Sequence, residues 1–361
     1  MKKRICFFTR GFAFNRLIRM QFHEKIFPKD VEIYLVTTNK YDKYPEKKWK
    51  LSRTKVVVMD YNPLTFPFKL RKFCKEKKID RMITVGSSFG GLFLIFATLF
   101  TKTDYIENLF THVFYRLDLP GSIFRKIRTY LDLLLYYPLF SLAKKATFNE
   151  LNMKKKAQEI FFISPDKTFY LPAPVNEKKF KIKSKTTSRK KLKISKRDKV
   201  VINVGRVNYA KGSDILGELI KKNKDITFLV IGKINDPNFP PKSTKNLIHL
   251  ERVDNEKLAD YYNAADFSFC INRGGGGLGI STEEALSCGI PSIILRKWEV
   301  KDSPALFKTK PSVKEANKVL KKFFSKSNEE RKKLAKEARN FVLDNYSYKA
   351  LKKEYTKVYL G

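Results

Sequence analysis

Two stretches of this 361-residue sequence combine residue types that could do chemistry together. In NVGRVNYAKGSDIL, Gly205 ends an apolar run, Arg206 follows at once, and Lys211 comes just before Gly212. Two cations at the carboxyl end of a strand, next to a helix beginning near Ser213, could clamp a pyrophosphate through charge-assisted hydrogen bonds. On a chain with 75 Lys and Arg residues, they could equally be ordinary surface charge. In RGGGGLGISTEEALSCGIP, Arg273 to Pro291, a run of four glycines precedes the adjacent acids Glu283 and Glu284. Glycines let backbone approach a ligand closely, free N–H groups at a helix start can meet phosphate, and a carboxylate can take sugar hydroxyls. The bland alternative is an S-x-x-E capping box of Ser281 with Glu284, a stop at Gly289 and a new strand at Pro291. The stretch is no P-loop, because no Lys follows its last glycine, and Gly277-Leu-Gly279 lacks the third glycine of a dinucleotide fingerprint.

The surrounding elements predict how these stretches are positioned. Short β-rich runs, RICFFT, VEIYLVTT, KVVVMD, DRMITVG and TDYIENL, alternate with helix-like segments through the first half. In PFKLRKFCKEKKI, Phe68, Leu70, Phe73 and Cys74 recur at helical spacing. A second series, VVINVG, ITFLVIG, LIHLERV, FSFCIN and PSIIL, follows with helices such as DNEKLADYYNAA between. Alternation of this kind reads as parallel α/β sheets. Phe180 to Lys199, FKIKSKTTSRKKLKISKRDK, reads as a solvated connector or exposed basic helix. The length suits two domains, here 1–173 and 174–340, with 341–361 as a closing helix packed back on the first. A ligand is expected in a cleft at the carboxyl ends of the strands.

Composition narrows the function without choosing it. Hydrophobic content of 43% supports globular cores, and the net charge of +39 attracts anionic ligands, anionic lipid or nucleic acid alike. No RNA or DNA module is recognisable, so a nucleic-acid partner is not expected, and a basic nucleic-acid-binding protein with Tyr and Phe as stacking platforms is the weaker alternative. Cys6, Cys74, Cys270 and Cys288 have no close pairing, which predicts reduced thiols and no zinc site. No signal peptide opens the sequence, and FGGLFLIFATLF and LDLLLYYPLF are too short to span a bilayer. A cytoplasmic protein, peripheral on the inner face of the cell membrane, is the expectation.

In order along the chain, LPAPVNEKKF, VGRVNYAKG, DITFLVIG, NLIHLERVDNEKLADYYNAADFSFCIN, EEALSCGIPSII and NFVLDNYSYKALKKEYTKVY resemble the retaining GT-B glycosyltransferases of family 4, the glycosyl transferases group 1. The resemblance runs from about Tyr170 onward and implies an α/β GT-B fold, two Rossmann-like domains facing a central cleft. VGRVNYAKG matches the family's G-R-x4-K-G, which gives Arg206 and Lys211 the donor diphosphate. Glu284 matches the second glutamate of E-x7-E, the one that bonds ribose hydroxyls, so Arg206, Lys211 and Glu284 are the candidate catalytic set. The donor-binding set adds Gly205, Gly275, Gly276, Gly277, Leu278, Gly279 and Ile280, with Arg252 and Val253 near the base.

One departure matters: the family's first glutamate falls on Gly276. Backbone N–H groups of Gly275 to Gly279, or Glu283, would have to replace it, or the chain is a non-catalytic nucleotide-sugar binder or partner subunit. The resemblance implies a retaining, metal-independent transfer with no cofactor, from a UDP-, GDP- or ADP-sugar to a glycan or lipid-linked acceptor. The acceptor side is thinner. TRGFAFNR offers Arg10, Gly11 and Arg16, GSSFGG offers Ser87, and YIENLFTHVF offers Glu107, Asn108 and His112. FYRLDLPGSIFRKIRTYLDLLLYYPLF alternates aromatic and basic residues, which suits either an anionic membrane surface or a buried helix with a basic outer edge.

Overall fold

A computed structural model describes residues 3–11, 14–38, 51–85, 88–109, 113–115, 121–239 and 244–361. The chain divides into two compact units, one of Met1–Pro172 with Leu351–Gly361 and one of Ala173–Ala350. The first contains β1 (Arg4–Phe8), α1 (Phe14–Ile26), β2 (Glu32–Thr38), β3 (Thr54–Met59), α2 (Phe66–Glu76), β4 (Arg81–Thr84), α3 (Ser88–Thr98), β5 (Asp104–Leu109), α4 (Ile123–Ser141), β6 (Lys145–Phe148), α5 (Leu151–Phe161) and β7 (Thr168–Tyr170). Among the described residues its sheet has seven parallel strands in the order β3-β2-β1-β4-β5-β6-β7. The central strands β1 and β4 are buried along almost their whole length because helices cover both faces, whereas the edge strand β3 is only partly buried.

The second unit runs α6 (Lys185–Lys191), β8 (Lys199–Val204), α7 (Ser213–Lys222), β9 (Ile226–Ile231), β10 (Leu247–Leu250), α8 (Asn255–Ala264), β11 (Phe267–Phe269), α9 (Ile280–Ser287), β12 (Ser292–Leu295), β13 (Leu306–Thr309), α10 (Val313–Phe324) and α11 (Asn328–Asn345). Its six described strands are also parallel, in the order β10-β9-β8-β11-β12-β13. Both sheets therefore reverse direction of strand order beside their first strand, which is where doubly wound sheets open a crevice.

Helix α12 (Tyr348–Leu360) closes the chain. The turn before it is held in the second unit, where Val175 N–H donates to Tyr346 O at 2.8 Å and Tyr348 N–H to Glu177 at 3.0 Å. That unit accordingly continues through α11 to Ala350, beyond the boundary at 340 read from the sequence. From Leu351 onward α12 belongs to the first unit, where Tyr355 Oη donates to Pro172 O at 2.8 Å. His23 is buried there with Phe7, Phe27, Tyr355 and Tyr359, stacked on Phe7 at 4.6 Å. Burial lowers its imidazole to about 3, so it is neutral core material.

Three expectations change. β6 (KATF), β7 (TFY) and β13 (LFKT) are further strands that the apolar runs of the sequence do not mark. In α2 the buried residues are Phe66, Leu70, Phe73 and Cys74, while Phe68 is 61% exposed because it lies on the far side of the helix from that set. The segment after Phe180 is neither free nor wholly solvated. Ser184 caps α6, Lys183 and Lys191 pair with Asp260, and the buried Arg189 bonds Asp266 at 2.8 Å and the Ala264 carbonyl at 2.9 Å. All four cysteines are free thiols.

Candidate functional site

The site grows from the carboxyl end of β8. Gly205 takes φ +136° and Gly232, after β9, takes φ +146°; a Cβ on Gly232 would lie 2.0 Å from the Gly205 carbonyl. Only glycine allows these two strand ends to meet so closely. The chain then turns through Asn208, whose side-chain oxygen accepts from Lys211 N–H at 3.0 Å and closes a single 3-10 turn. Gly212 follows at φ +74°, with a Cβ there only 2.9 Å from the Ile271 side chain. These constraints deliver Lys211 beside the end of β11 just as α7 begins.

Arg273 fixes the glycine run against this turn. Its guanidinium makes two 2.8 Å bonds to Asp214, a third of 2.6 Å to Tyr209 O, and stacks over the Tyr209 ring at 4.3 Å. Its backbone N–H donates to Ala210 O at 2.7 Å. Bidentate pairing with stacking is what Arg supplies and Lys does not. Arg273 is thus a positioning residue, and the Lys211 turn and the glycine run move as one piece.

Between them lies a pocket of about 40 Å³, lined by Gly205, Arg206, Lys211, Asn272, Gly279, Ser281, Thr282 and Trp298 together with the ends of β8 and β11. That volume admits a small polar group rather than a whole nucleotide. Arg206 is exposed and, among the described residues, pairs with no carboxylate; Lys211 is half-buried. Helix α9 starts at the pocket, and its first N–H groups have no carbonyl four residues earlier within the helix to bond. Two cations and a helix N-terminus converge on one small space, an arrangement whose charge suits an anion.

Of the donor-side residues predicted from the sequence, the structure brings Gly205, Arg206, Lys211 and Gly279 together in this pocket. Gly275, Gly276 and Gly277 are buried in the loop behind it, as is Leu278, while Ile280 is half-buried at the start of α9. The Gly276 carbonyl accepts from Glu299 N–H at 3.2 Å, so the backbone after Trp298 packs where the family's first glutamate would begin. Arg252 and Val253 lie between β10 and α8, Arg252 exposed and Val253 half-buried.

Glu284 does not line the pocket. It is 5% exposed on α9, and its Oε2 accepts from Tyr262 Oη at 3.1 Å. Burial pushes its carboxyl up to about 8, with the Tyr262 hydroxyl and Lys179 pulling the other way. The capping box is a correction: the N-cap is Gly279, with no side-chain cap bond, and Ser281 lies inside the helix facing the pocket. The chain enters α9 two residues earlier than Ser281 because Gly279 already has the extended backbone that an N-cap needs. Gly289 does end that helix, at φ +75°.

Sequence reasoning missed Trp298. It is 3% exposed, lines the pocket, and its Nε1–H donates to no acceptor among the described residues. A buried donor without a partner is costly, and at a pocket it marks a place where a ligand oxygen could accept its hydrogen bond. Its one available signal was rarity, since the chain has two tryptophans.

On the acceptor side, Ser87 and His112 lie outside the described residues. Arg10 stacks over Tyr61 at 5.0 Å, Gly11 O accepts from Thr9 Oγ1 at 3.0 Å, and Arg16 is half-buried on α1. Glu107 and Asn108 are both buried at the end of β5. Asn108 donates to Tyr359 Oη at 2.6 Å, which ties α12 to the sheet. Among the described residues Glu107 has no hydrogen-bond partner for either oxygen, and burial pushes its carboxyl up to about 8 against the pull of the nearby Thr84 hydroxyl. These residues do not converge on a described pocket as the donor-side residues do.

Comparison with known proteins places the site in context. Residues 184–341 match the model of the family described as glycosyl transferases group 1. No curated protein matches the chain in sequence. Among solved structures, sucrose-phosphate synthase from Thermosynechococcus elongatus superposes with a TM-score of 0.81 at 13% identity, covering 99% of this chain and 98% of that one. The Anabaena protein HepE, in complex with UDP and glucose, gives 0.76 at 13% identity, covering 99% and 98%. WaaG, a glycosyltransferase involved in lipopolysaccharide biosynthesis, gives 0.73 at 15% identity, covering 99% and 100%. The fold is therefore GT-B, and the stretch from 184 to 341, which holds the whole pocket, is the part of the chain that resembles the glycosyl transferases group 1.

Proposed function

We propose that the chain is a retaining, metal-independent glycosyltransferase that moves a sugar from a nucleotide diphosphate sugar to a glycan or lipid-linked acceptor. The observation that carries this reading is the convergence of Arg206, Lys211 and the α9 N-terminus on one pocket. In the transfer, the bond from the sugar's anomeric carbon to the diphosphate oxygen breaks and a bond to the acceptor oxygen forms on the same face. The leaving diphosphate gains negative charge, and the two cations with the helix N–H groups neutralise it as it develops. The acceptor's proton passes to a phosphate oxygen, so the reaction needs no protein base. The Trp298 indole N–H and the Ser281 and Thr282 hydroxyls supply further donors around the same anion. A UDP-sugar is favoured by HepE, whose structures are described with UDP and with UDP-glucose.

Thermal shifts with UDP-, GDP- and ADP-sugars test the donor. A bound nucleotide at about 100 times its dissociation constant would stabilise the fold by about 2.7 kcal/mol. No shift with any of them would remove the reading. A second reading, a nucleotide-sugar binder without transfer, is favoured by Gly276, where a carboxylate is missing. A shift with a nucleotide sugar but no hydrolysis or transfer in any acceptor mixture would select it.

A lipid-linked acceptor would bring the protein to a membrane surface, and an anionic surface suits a net charge of +39.

A further inference from the structure

Helix α4 of the first unit presents an apolar stripe to the outside. Phe124, Ile127, Tyr130, Leu131, Leu134 and Tyr137 recur at spacings of three and four, and each is half exposed or more, with Phe124 at 79% and Leu134 at 69%. The opposite face is the buried one, with Thr129, Tyr136, Leu139 and Phe140 turned to the core. A helix of this length is about 28 Å long, so the stripe greatly exceeds the scattered apolar residues usual on a protein surface. At 100° per residue, Lys126 and Arg128 stand at its two edges, and both are exposed. Asp132, the helix's one acid, is half-buried towards the core side. The apolar surface continues on α2 and α3, where Phe68 meets Phe96 edge-on at 4.8 Å and Phe100, just past α3, is 92% exposed.

We propose that α4 docks the protein on an anionic bilayer, lying in the plane of the headgroup layer. Its Phe, Leu and Ile side chains enter the acyl boundary, and Lys126 and Arg128 reach lipid phosphates from either edge. The two tyrosines lie towards the Lys126 edge, where a ring can be buried while its hydroxyl stays wet. Charge decides for a bilayer over a protein partner: the exposed charges on this helix, Arg125, Lys126 and Arg128, are all positive, and Lys126 and Arg128 border the apolar face on its two sides. No described helix is long and apolar enough to cross a membrane, so the helix rests on the surface. The inference goes beyond donor chemistry and stands on a different unit, so vesicle binding and nucleotide binding succeed or fail separately.

The test is sedimentation of the full chain with vesicles of phosphatidylcholine alone and of phosphatidylcholine with phosphatidylglycerol, at low and high salt. Anionic vesicles should bind about tenfold more strongly than neutral ones at low salt, with the gap narrowing as salt rises. Phe124→Ser with Leu134→Ser should lower the partition by about tenfold or more while melting temperature and nucleotide shift stay unchanged, since both side chains are exposed. Lys126→Gln with Arg128→Gln should lose the preference for anionic lipid and keep the fold. Wild-type binding by the Ser variant would overturn the proposal. So would a wild-type dimer that ignores vesicles and becomes a monomer in that variant, because the stripe would then cover a second copy.

Discussion

The two units share a strand order and differ in what stands at the strands' carboxyl ends. After β8, two positive-φ glycines and the Arg273 clamp hold Arg206 and Lys211 around a pocket. At the end of β5 in the first unit, by contrast, the side chains serve the core: Asn108 bonds Tyr359, and Glu107 is sealed beneath α3 and α4, where a Cβ on Gly91 would come within 2.7 Å of its carboxylate. The same scaffold thus gathers two cations around a pocket in one unit and buries core side chains at the end of β5 in the other. Chemistry is set by loops and by single residues, not by the sheet.

The largest effect that would break this contrast is on catalysis. Lys211→Ala and Arg206→Ala should each reduce donor hydrolysis or transfer by about 10²- to 10³-fold with an unchanged melting temperature, because they neutralise charge that develops on the leaving group. Arg10→Ala, in the other unit, should cost far less. Full activity in both donor-unit variants would leave the pocket without a role.

Glycine substitutions sharpen the contrast between frame and pocket. A side chain on Gly279 meets nothing within 4 Å and needs no special backbone, so Gly279→Val should fold normally yet weaken nucleotide binding by filling the pocket mouth. Gly212→Val, at φ +74° and 2.9 Å from Ile271, should lose about 2 kcal/mol or more of stability in denaturant unfolding. Equal stability in the two variants would refute the assigned roles.

Both units also bury a carboxyl raised to about 8, Glu107 and Glu284. Between the ordinary value of 4.5 and about 8, the folded state holds protons that the unfolded chain has released, so stability should fall as pH rises through that window. The slope is at most about 1.4 kcal/mol per pH unit for each group. Glu107→Gln and Glu284→Gln should each flatten it in melts from mildly acidic to mildly alkaline pH. An unchanged slope in both would show that these carboxyls ionise freely.

The smallest effect should come from Trp298→Phe, which removes one donor and should weaken nucleotide binding about fivefold, worth about 1 kcal/mol. With Trp49→Phe leaving Trp298 as the sole tryptophan, its emission should change on adding UDP; a silent emission would detach Trp298 from the site.

Much of this was legible in sequence where a local rule sufficed. The long apolar runs gave the main strands, and a cation after a strand-ending glycine marked the pocket, because those signals are contained within a few residues. The strands β6, β7 and β13 were not legible, since KATF, TFY and LFKT carry no distinctive apolar run and become strands only when a neighbour pairs with them. Trp298 was missed for a similar reason: its indole has a role only because folding brings the end of β12 beside β8 and α9.

The sequence by itself determined the α/β alternation, the basic charge and the presence of Arg206, Lys211 and the glycines, since composition and spacing are properties of the chain. Only tertiary structure decided that Glu284 turns to Tyr262 instead of the pocket, and that Arg273 is a clamp. It also decided that α4 turns Phe124 and Leu134 outward. Each of these depends on which partner a side chain meets across distant segments, and burial and pairing are fixed only when those segments pack.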